Sequence, residues 1–161
     1  MNILSVGIGE IKISNSLDDV LIAYGLGSCI GVLVYDSEIH LAGAIHVLLA
    51  DSSIDKILDN PAKFADTGIP LLLSMMEEKG GIKSRYRVAI AGGAQMFNIP
   101  FGKPEFNIGL KNVTAVKAAL AKAGLNIAKE NTGGKEGKTV KLFVKDGRMT
   151  YKTPGKEDMD F

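Results

Sequence analysis

Short apolar runs broken by glycine and polar residues predict β-strands over most of the chain. These runs cover residues 3–8, 11–14, 19–24, 30–35, 41–49, 86–91, 125–129, 139–144 and 148–152. Apolar residues at helical spacing predict two helices, one over 61–79, which Pro70 should kink or divide, and one over 110–123. Because the helices do not alternate strictly with the strands, the pattern predicts an α+β fold with helices packed on a sheet.

The segments between these elements are predicted to be loops or a tail. Residues 95–109 form a long, proline-containing loop in this interpretation. Residues 133–139 resemble a phosphate-binding loop, but Thr132 stands where that motif needs glycine and a strand follows, so we predict a hairpin loop. The charged residues 155–161 are predicted to be a flexible tail of one domain spanning 1–161.

Composition and charge narrow the function classes. The chain has 161 residues, 46% of them hydrophobic, and a formal charge of +1, with its Lys and Arg residues scattered. This pattern predicts a soluble domain with no electrostatic footprint for nucleic acid or a membrane surface. No run is long enough to span a bilayer, and a single cysteine allows no internal disulfide, so we expect a cytoplasmic protein.

That single cysteine, Cys29, ends a glycine-rich turn, and His46 lies in the next predicted strand. If Ser37 and Glu38 are the two loop residues of the hairpin, facing residue numbers sum to 75 and Cys29 faces His46. Directly opposed residues of an antiparallel pair have Cβ atoms about 4.5–5.5 Å apart, so thiol and imidazole would touch. A slip of one residue would place them on opposite faces. The spacing therefore predicts a cysteine nucleophile with a histidine base.

The turn before the thiol supports this interpretation. Glycines at 25 and 27 indicate positive φ or a close backbone approach, and successive N–H groups of such a turn can hold an oxyanion. A lone cysteine in such a protein is nevertheless often only a small buried hydrophobe, and His46 can be a neutral core histidine bonded to a carbonyl. One cysteine and two histidines without ligand spacing argue against a structural metal.

Several motifs occur together in one order: Gly-Leu-Gly-Ser-Cys at 25–29, His-Val-Leu-Leu at 46–49, Gly-Gly-Ala-Gln-Met at 92–96, Ile108-Gly109 with Asn112 and Val116, and Gly133-Gly134 with Gly137. The set resembles the chemoreceptor glutamine deamidase (CheD) family of bacterial and archaeal chemotaxis, over about residues 3–153. The resemblance implies an enzyme, free of cofactor and metal, that hydrolyses selected glutamine side chains of methyl-accepting chemotaxis receptors to glutamate. It also implies a CheC-type phosphatase partner, receptor methyl-ester hydrolysis in some members, and a layered α/β/β sandwich with mostly antiparallel sheets.

The resemblance assigns roles to particular residues. The family's cysteine falls on Cys29 and its histidine on His46, with Gly27 and Ser28 contributing oxyanion donors. The third family position, usually threonine, falls on Ala23, whose backbone carbonyl is expected to orient the imidazole instead. Two alternatives follow: a catalytically weakened member that binds receptors or the phosphatase, and a cysteine hydrolase of the same scaffold acting on another amide or ester.

Overall fold

The computed structural model describes residues 1–54, 59–96 and 107–161. Two α-helices occur in these ranges, α1 (Ala65–Glu78) and α2 (Ile108–Lys122). The strands are β1 (Asn2–Ser5), β2 (Ile11–Ser14), β3 (Asp19–Leu26), β4 (Ile30–Asp36), β5 (Leu41–Val47), β6 (Tyr86–Gly92), β7 (Ile127–Thr132), β8 (Lys138–Phe143), β9 (Met149–Lys152) and β10 (Met159–Asp160). None of the helices in these ranges is long and apolar enough to cross a membrane.

The strands form two five-stranded sheets. The first sheet has the order β1-β3-β8-β9-β10, and the second has the order β2-β5-β4-β6-β7. β1 and β3 pair in parallel, as do β6 and β7, whereas the other neighbours are antiparallel. The predicted α+β class with mostly antiparallel sheets is therefore confirmed.

The second sheet is the middle of three layers. Alternate residues of β4, such as Val32 and Val34, pack with residues of both helices in one core. The intervening residues Leu33 and Tyr35 pack with the first sheet in a second core. Because both faces are covered, β4 and β5 are buried along their whole length, which explains their nearly continuous apolar sequence. The order helices, second sheet, first sheet is the predicted α/β/β sandwich.

The β4–β5 hairpin has a different register from the one predicted. Asp36 pairs with Leu41 and Gly31 with His46, so facing numbers sum to 77 rather than 75. The loop has four residues, 37–40, and His40 takes a positive φ of 49°. The shift is two residues, and side chains alternate with a period of two, so Cys29 and His46 keep the same face but are not directly opposed.

Three other predictions were wrong in detail. Pro70 does not divide helix α1, which continues to Glu78 with the loss of one intrahelical hydrogen bond, while a kink at Pro70 stays a prediction. The glycine-rich loop 133–137 is not a hairpin loop, because it carries the chain from β7 in one sheet to β8 in the other. The tail 155–161 is not free: β10 pairs with β9, and the Phe161 ring packs edge-on against Tyr151 with centroids 5.3 Å apart. Of the loop predicted over 95–109, residues 97–106 lie outside the described ranges.

Candidate active site

Cys29 lies in the turn between β3 and β4, on the face of the second sheet that packs against the first. The thiol-bearing residue is only 8% exposed. Three consecutive carbonyls of this turn are each held by a donor: Gly27 O accepts from Ala94 N at 2.9 Å, Ser28 O from Asn112 Nδ2 at 2.9 Å, and Cys29 O from Gly93 N at 2.9 Å. The backbone that presents the thiol is therefore fixed at successive peptides.

The close approach of β6 depends on glycine. Gly92 has a φ of 110°, and a Cβ added there would overlap the Cys29 carbonyl oxygen. Gly93 has a φ of 70° and faces the helix side, where Val113 of α2 packs against it. The consecutive glycines at the end of β6, Gly92 and Gly93, therefore let this strand end lie directly against the cysteine turn.

The N–H groups of Gly27 and Ser28 form no hydrogen bond within the described residues. Both residues are partly exposed, in contrast to the buried thiol beside them. The backbone N–H of Cys29 tends to lower the pKa of its own thiol, against the larger effect of burial, which raises it. Unpaired N–H groups next to a nucleophile are the donors that a tetrahedral oxyanion needs.

His46 is held from three sides. Its backbone N–H donates to Glu10 O at 3.2 Å and its carbonyl accepts from Gly9 N at 2.9 Å. Its side chain is 4% exposed, and Nδ1 bonds to the Val6 carbonyl at 2.9 Å. A carbonyl oxygen only accepts, so Nδ1 carries the hydrogen and Nε2 keeps its lone pair. Nε2 is buried and has no hydrogen-bond partner among the described residues.

The thiol and the imidazole share a face but are not hydrogen-bonded to each other within the described part of the chain. Cys29 is a diagonal neighbour of His46 across the end of the β4–β5 ladder, a geometry with Cβ atoms up to about 7–8 Å apart. Burial raises the pKa of the Cys29 thiol, and burial lowers the pKa of His46 although the Val6 carbonyl and Glu10 oppose this. Both shifts favour a neutral thiol beside a neutral imidazole, which acts as a base when the thiol attacks.

Comparison with known proteins identifies the family. Residues 48–153 match the family model described as "CheD chemotactic sensory transduction". The "Probable chemoreceptor glutamine deamidase CheD" of Symbiobacterium thermophilum is 38% identical, with 94% of this chain and 93% of that protein covered. The protein of the same description from Desulforamulus reducens is 41% identical over 94% of this chain and 91% of its own. The chain belongs to the CheD family.

A further CheD relative, the "Chemoreceptor glutamine deamidase CheD" of Bacillus licheniformis, is 37% identical over 94% of this chain and 90% of its own. The segment matched by the CheD family model begins at residue 48, just after His46. The roles of Cys29 and His46 therefore rest on the geometry described above rather than on that match.

In this CheD family member the carbonyl that orients the imidazole belongs to Val6 and not to Ala23. Ala23 is buried in β3, where it pairs with Val140 of β8. β1 runs parallel to β3 with Ser5 beside Ile22, and the Val6 N–H donates to Ile22 O at 2.7 Å. Val6 thus occupies the place next to Ala23, one strand over. Only the pairing of β1 with β3 brings Val6 there, and no local signal in the sequence predicts that pairing.

Proposed function

We propose that this protein is a chemoreceptor glutamine deamidase that hydrolyses glutamine side chains of methyl-accepting chemotaxis receptors. The observation that carries the proposal is the constellation of Cys29, the His46 imidazole and the N–H groups of Gly27 and Ser28 at one end of the sheet. Among the described residues, His46 Nε2 and these N–H groups have no hydrogen-bond partner. It contains the nucleophile, base and oxyanion donors that amide hydrolysis requires. The printed names of the CheD relatives supply the substrate class.

The first half of the reaction forms a thioester. His46 Nε2 takes the thiol proton as Cys29 Sγ attacks the carboxamide carbon of the glutamine. The carbonyl oxygen becomes an oxyanion, which the N–H groups of Gly27 and Ser28 stabilise. When the intermediate collapses, the imidazolium returns the proton to the leaving nitrogen, and ammonia departs. The hydrogen bond from Nδ1–H to the Val6 carbonyl keeps the ring in the tautomer that this exchange needs.

The second half returns the enzyme to its resting state. Water attacks the thioester carbon while His46 Nε2 accepts one of its protons. The second tetrahedral intermediate expels the Cys29 sulfur, which regains a proton from the imidazolium. The products are a glutamate side chain and the free thiol, and the overall reaction consumes one water for each ammonia released.

The test is mass spectrometry of a cytoplasmic receptor fragment incubated with the protein. Conversion of an amide to an acid adds about 1 Da at a defined glutamine, and the proposal expects this conversion with the native chain. Cys29→Ala should abolish it, and His46→Gln should lower its rate by about 10²–10⁴-fold. Conversion that persists in the Cys29→Ala protein would refute the assignment of the nucleophile.

The alternative is a CheD member that has lost catalysis and acts by binding. The alanine at position 23, where the resemblance expects threonine, is the observation that favours it. Receptor binding without conversion of any glutamine in the same experiment would support this alternative. The CheC-type phosphatase partner stays a prediction from the resemblance. We also propose a cytoplasmic location, since the free thiol of Cys29 suits a reducing compartment.

A further inference from the structure

Asn112 of α2 joins the two segments that carry the proposed catalytic residues. The residue is 1% exposed. Its Nδ2 donates to Ser28 O at 2.9 Å and to Leu48 O at 2.9 Å. Ser28 immediately precedes Cys29, and Leu48 follows His46 by two residues. One side-chain amide therefore spans the gap between the cysteine turn and the end of β5.

The gap is the place where the sheet itself stops holding these segments together. The last backbone pair of the β4–β5 ladder joins Ile30 to Val47. In the same register the next pair would be Cys29 with Leu48, but no strand pairing is formed there. Asn112 supplies the missing connection from the helix layer, with one donor for each segment.

The bond to Ser28 O also sets the direction of a second group. This oxygen and the Cys29 N–H belong to one planar peptide, and in a trans peptide they point in opposite directions. Holding the oxygen toward Asn112 therefore turns the Cys29 N–H away from the helix. That N–H belongs to the residue whose sulfur is the proposed nucleophile. Asn112 thus orients the peptide plane that presents the nucleophile.

These two hydrogen bonds leave the oxygen of the Asn112 amide unsatisfied. Its Oδ1 is buried and has no partner among the described residues. The two carbonyls can only accept, so the opposite orientation of the amide would leave both without a donor. An unsatisfied buried oxygen in a native structure calls for an explanation, and a need for two donors at one point supplies it.

The packing of α2 brings the amide within reach. Gly109, one turn before Asn112, lies so close to the end of β6 that an added Cβ would fall on the carbonyl oxygens of Gly93 and Ala94. The Gly93 and Ala94 N–H groups in turn hold the cysteine turn. Helix, strand end and cysteine turn therefore form one tightly packed unit.

We propose that Asn112 is a positioning residue for deamidation, which fixes the Cys29 peptide relative to the end of the His46 strand. The inference rests on the proposed function, because it takes Cys29 and His46 as the reacting pair. A misplacement of about 1 Å can cost a rate on the order of 10²-fold. The expected signature is a loss in kcat with little change in KM, because Asn112 is 1% exposed and so offers no surface to a bound receptor.

The experiment compares Asn112→Leu and Asn112→Asp with Val116→Ala in receptor-fragment deamidation. The leucine removes both donors at similar volume, and the aspartic acid keeps the shape but offers at most one donor. Val116, fully buried one turn further along α2, is the control for damage to the helix packing. We expect kcat to fall about 100-fold for Asn112→Leu and less for Asn112→Asp, at nearly constant KM. We expect Val116→Ala to keep kcat within about threefold of the native value, even if its melting temperature falls as far as that of Asn112→Leu.

Equal kcat losses in Asn112→Leu and Val116→Ala proteins of matched stability would overturn the proposal. Failure of the proposed function has a different signature, because the native chain itself would then convert no receptor glutamine. If the Asn112 variants do not fold, the proposal is tested in the native chain by the NMR exchange rates of the side-chain amide hydrogens. The inference requires the Asn112 amide hydrogens to exchange far more slowly than those of the exposed Asn2, and to shift when Cys29 is alkylated. Exchange at the rate of Asn2 would overturn it.

Discussion

Cys29 should alkylate as a neutral buried thiol and not as a preformed thiolate. Burial raises the pKa of the thiol above its usual 9.0, and burial of His46 lowers the pKa of the imidazole below its usual 6.5. At pH 7 the thiolate form is then at most about one part in 100, since pH 7 lies two units below a pKa of 9. A thiolate stabilised by an imidazolium, with a pKa of about 3–4, would be almost fully ionised at the same pH.

The assay is the rate of iodoacetamide labelling between pH 5 and pH 9, followed by intact mass. With a single cysteine in the chain, every adduct reports on Cys29. We expect the rate constant to rise about tenfold for each pH unit, because it tracks the thiolate fraction. His46→Gln is the matched control. It should leave this slope almost unchanged while it suppresses deamidation, because the imidazole acts as a base only when the substrate is attacked.

A rate constant that is high and flat from pH 5 to pH 8 would refute this reasoning. It would mean that the pair exists as thiolate and imidazolium before substrate binds. A flat native profile that becomes steep in the His46→Gln protein would lead to the same conclusion, because loss of the imidazolium would restore an ordinary thiol. In either case the two side chains would have to be much closer than the diagonal geometry at the end of the β4–β5 ladder.

Three further predictions concern stability. In urea unfolding, Gly92→Ala should lose more unfolding free energy than Gly124→Ala. Both substitutions place a side chain at a positive φ, at about 1–2 kcal/mol, but only the alanine at position 92 would overlap Cys29, so equal losses would contradict this prediction. Because burial lowers the His46 pKa, the folded chain binds that proton more weakly than the unfolded chain, so the unfolding free energy should fall as pH drops below 6.5. An equally steep pH dependence in the His46→Gln protein would show that His46 is not its source. Phe161→Ala should cost about 0.5–1.5 kcal/mol without lowering deamidation, and no change in melting temperature would show that the tail is unpaired.

The layered fold was predictable because its patterns are local. The apolar runs of β4 and β5 are long and nearly continuous, as expected of strands covered on both faces. Helix α2 was predicted to within a few residues, since its apolar residues recur at helical spacing and Gly124 follows its end. Such signals depend on neighbours in the chain and need no knowledge of the other sheet.

Cys29 and His46 were named from the sequence as a candidate pair, and their roles stay a prediction, whereas the geometry between them was not predicted. The hairpin register depends on the loop length. The positive φ of His40 allows a four-residue loop, which the sequence pattern did not predict. The side chains still share a face because the error was an even number of residues. The partners of the reactive groups, Val6 and Asn112, come from distant parts of the chain. Their contacts depend on tertiary packing, which no spacing rule describes.

The hydrogen bond that sets the His46 tautomer joins the two sheets, because Val6 follows β1 of the first sheet and His46 belongs to β5 of the second. Val6 emerges from the ribosome long before the segment containing Asn112, and β8, which fastens β3 in the first sheet, emerges later still. Contacts so far apart in sequence form late in folding. A nascent or arrested chain would therefore carry an ordinary thiol, and deamidating chemistry would appear only once both sheets have docked. Reactivity is in this sense a property of the docked sheets and not of the cysteine turn alone.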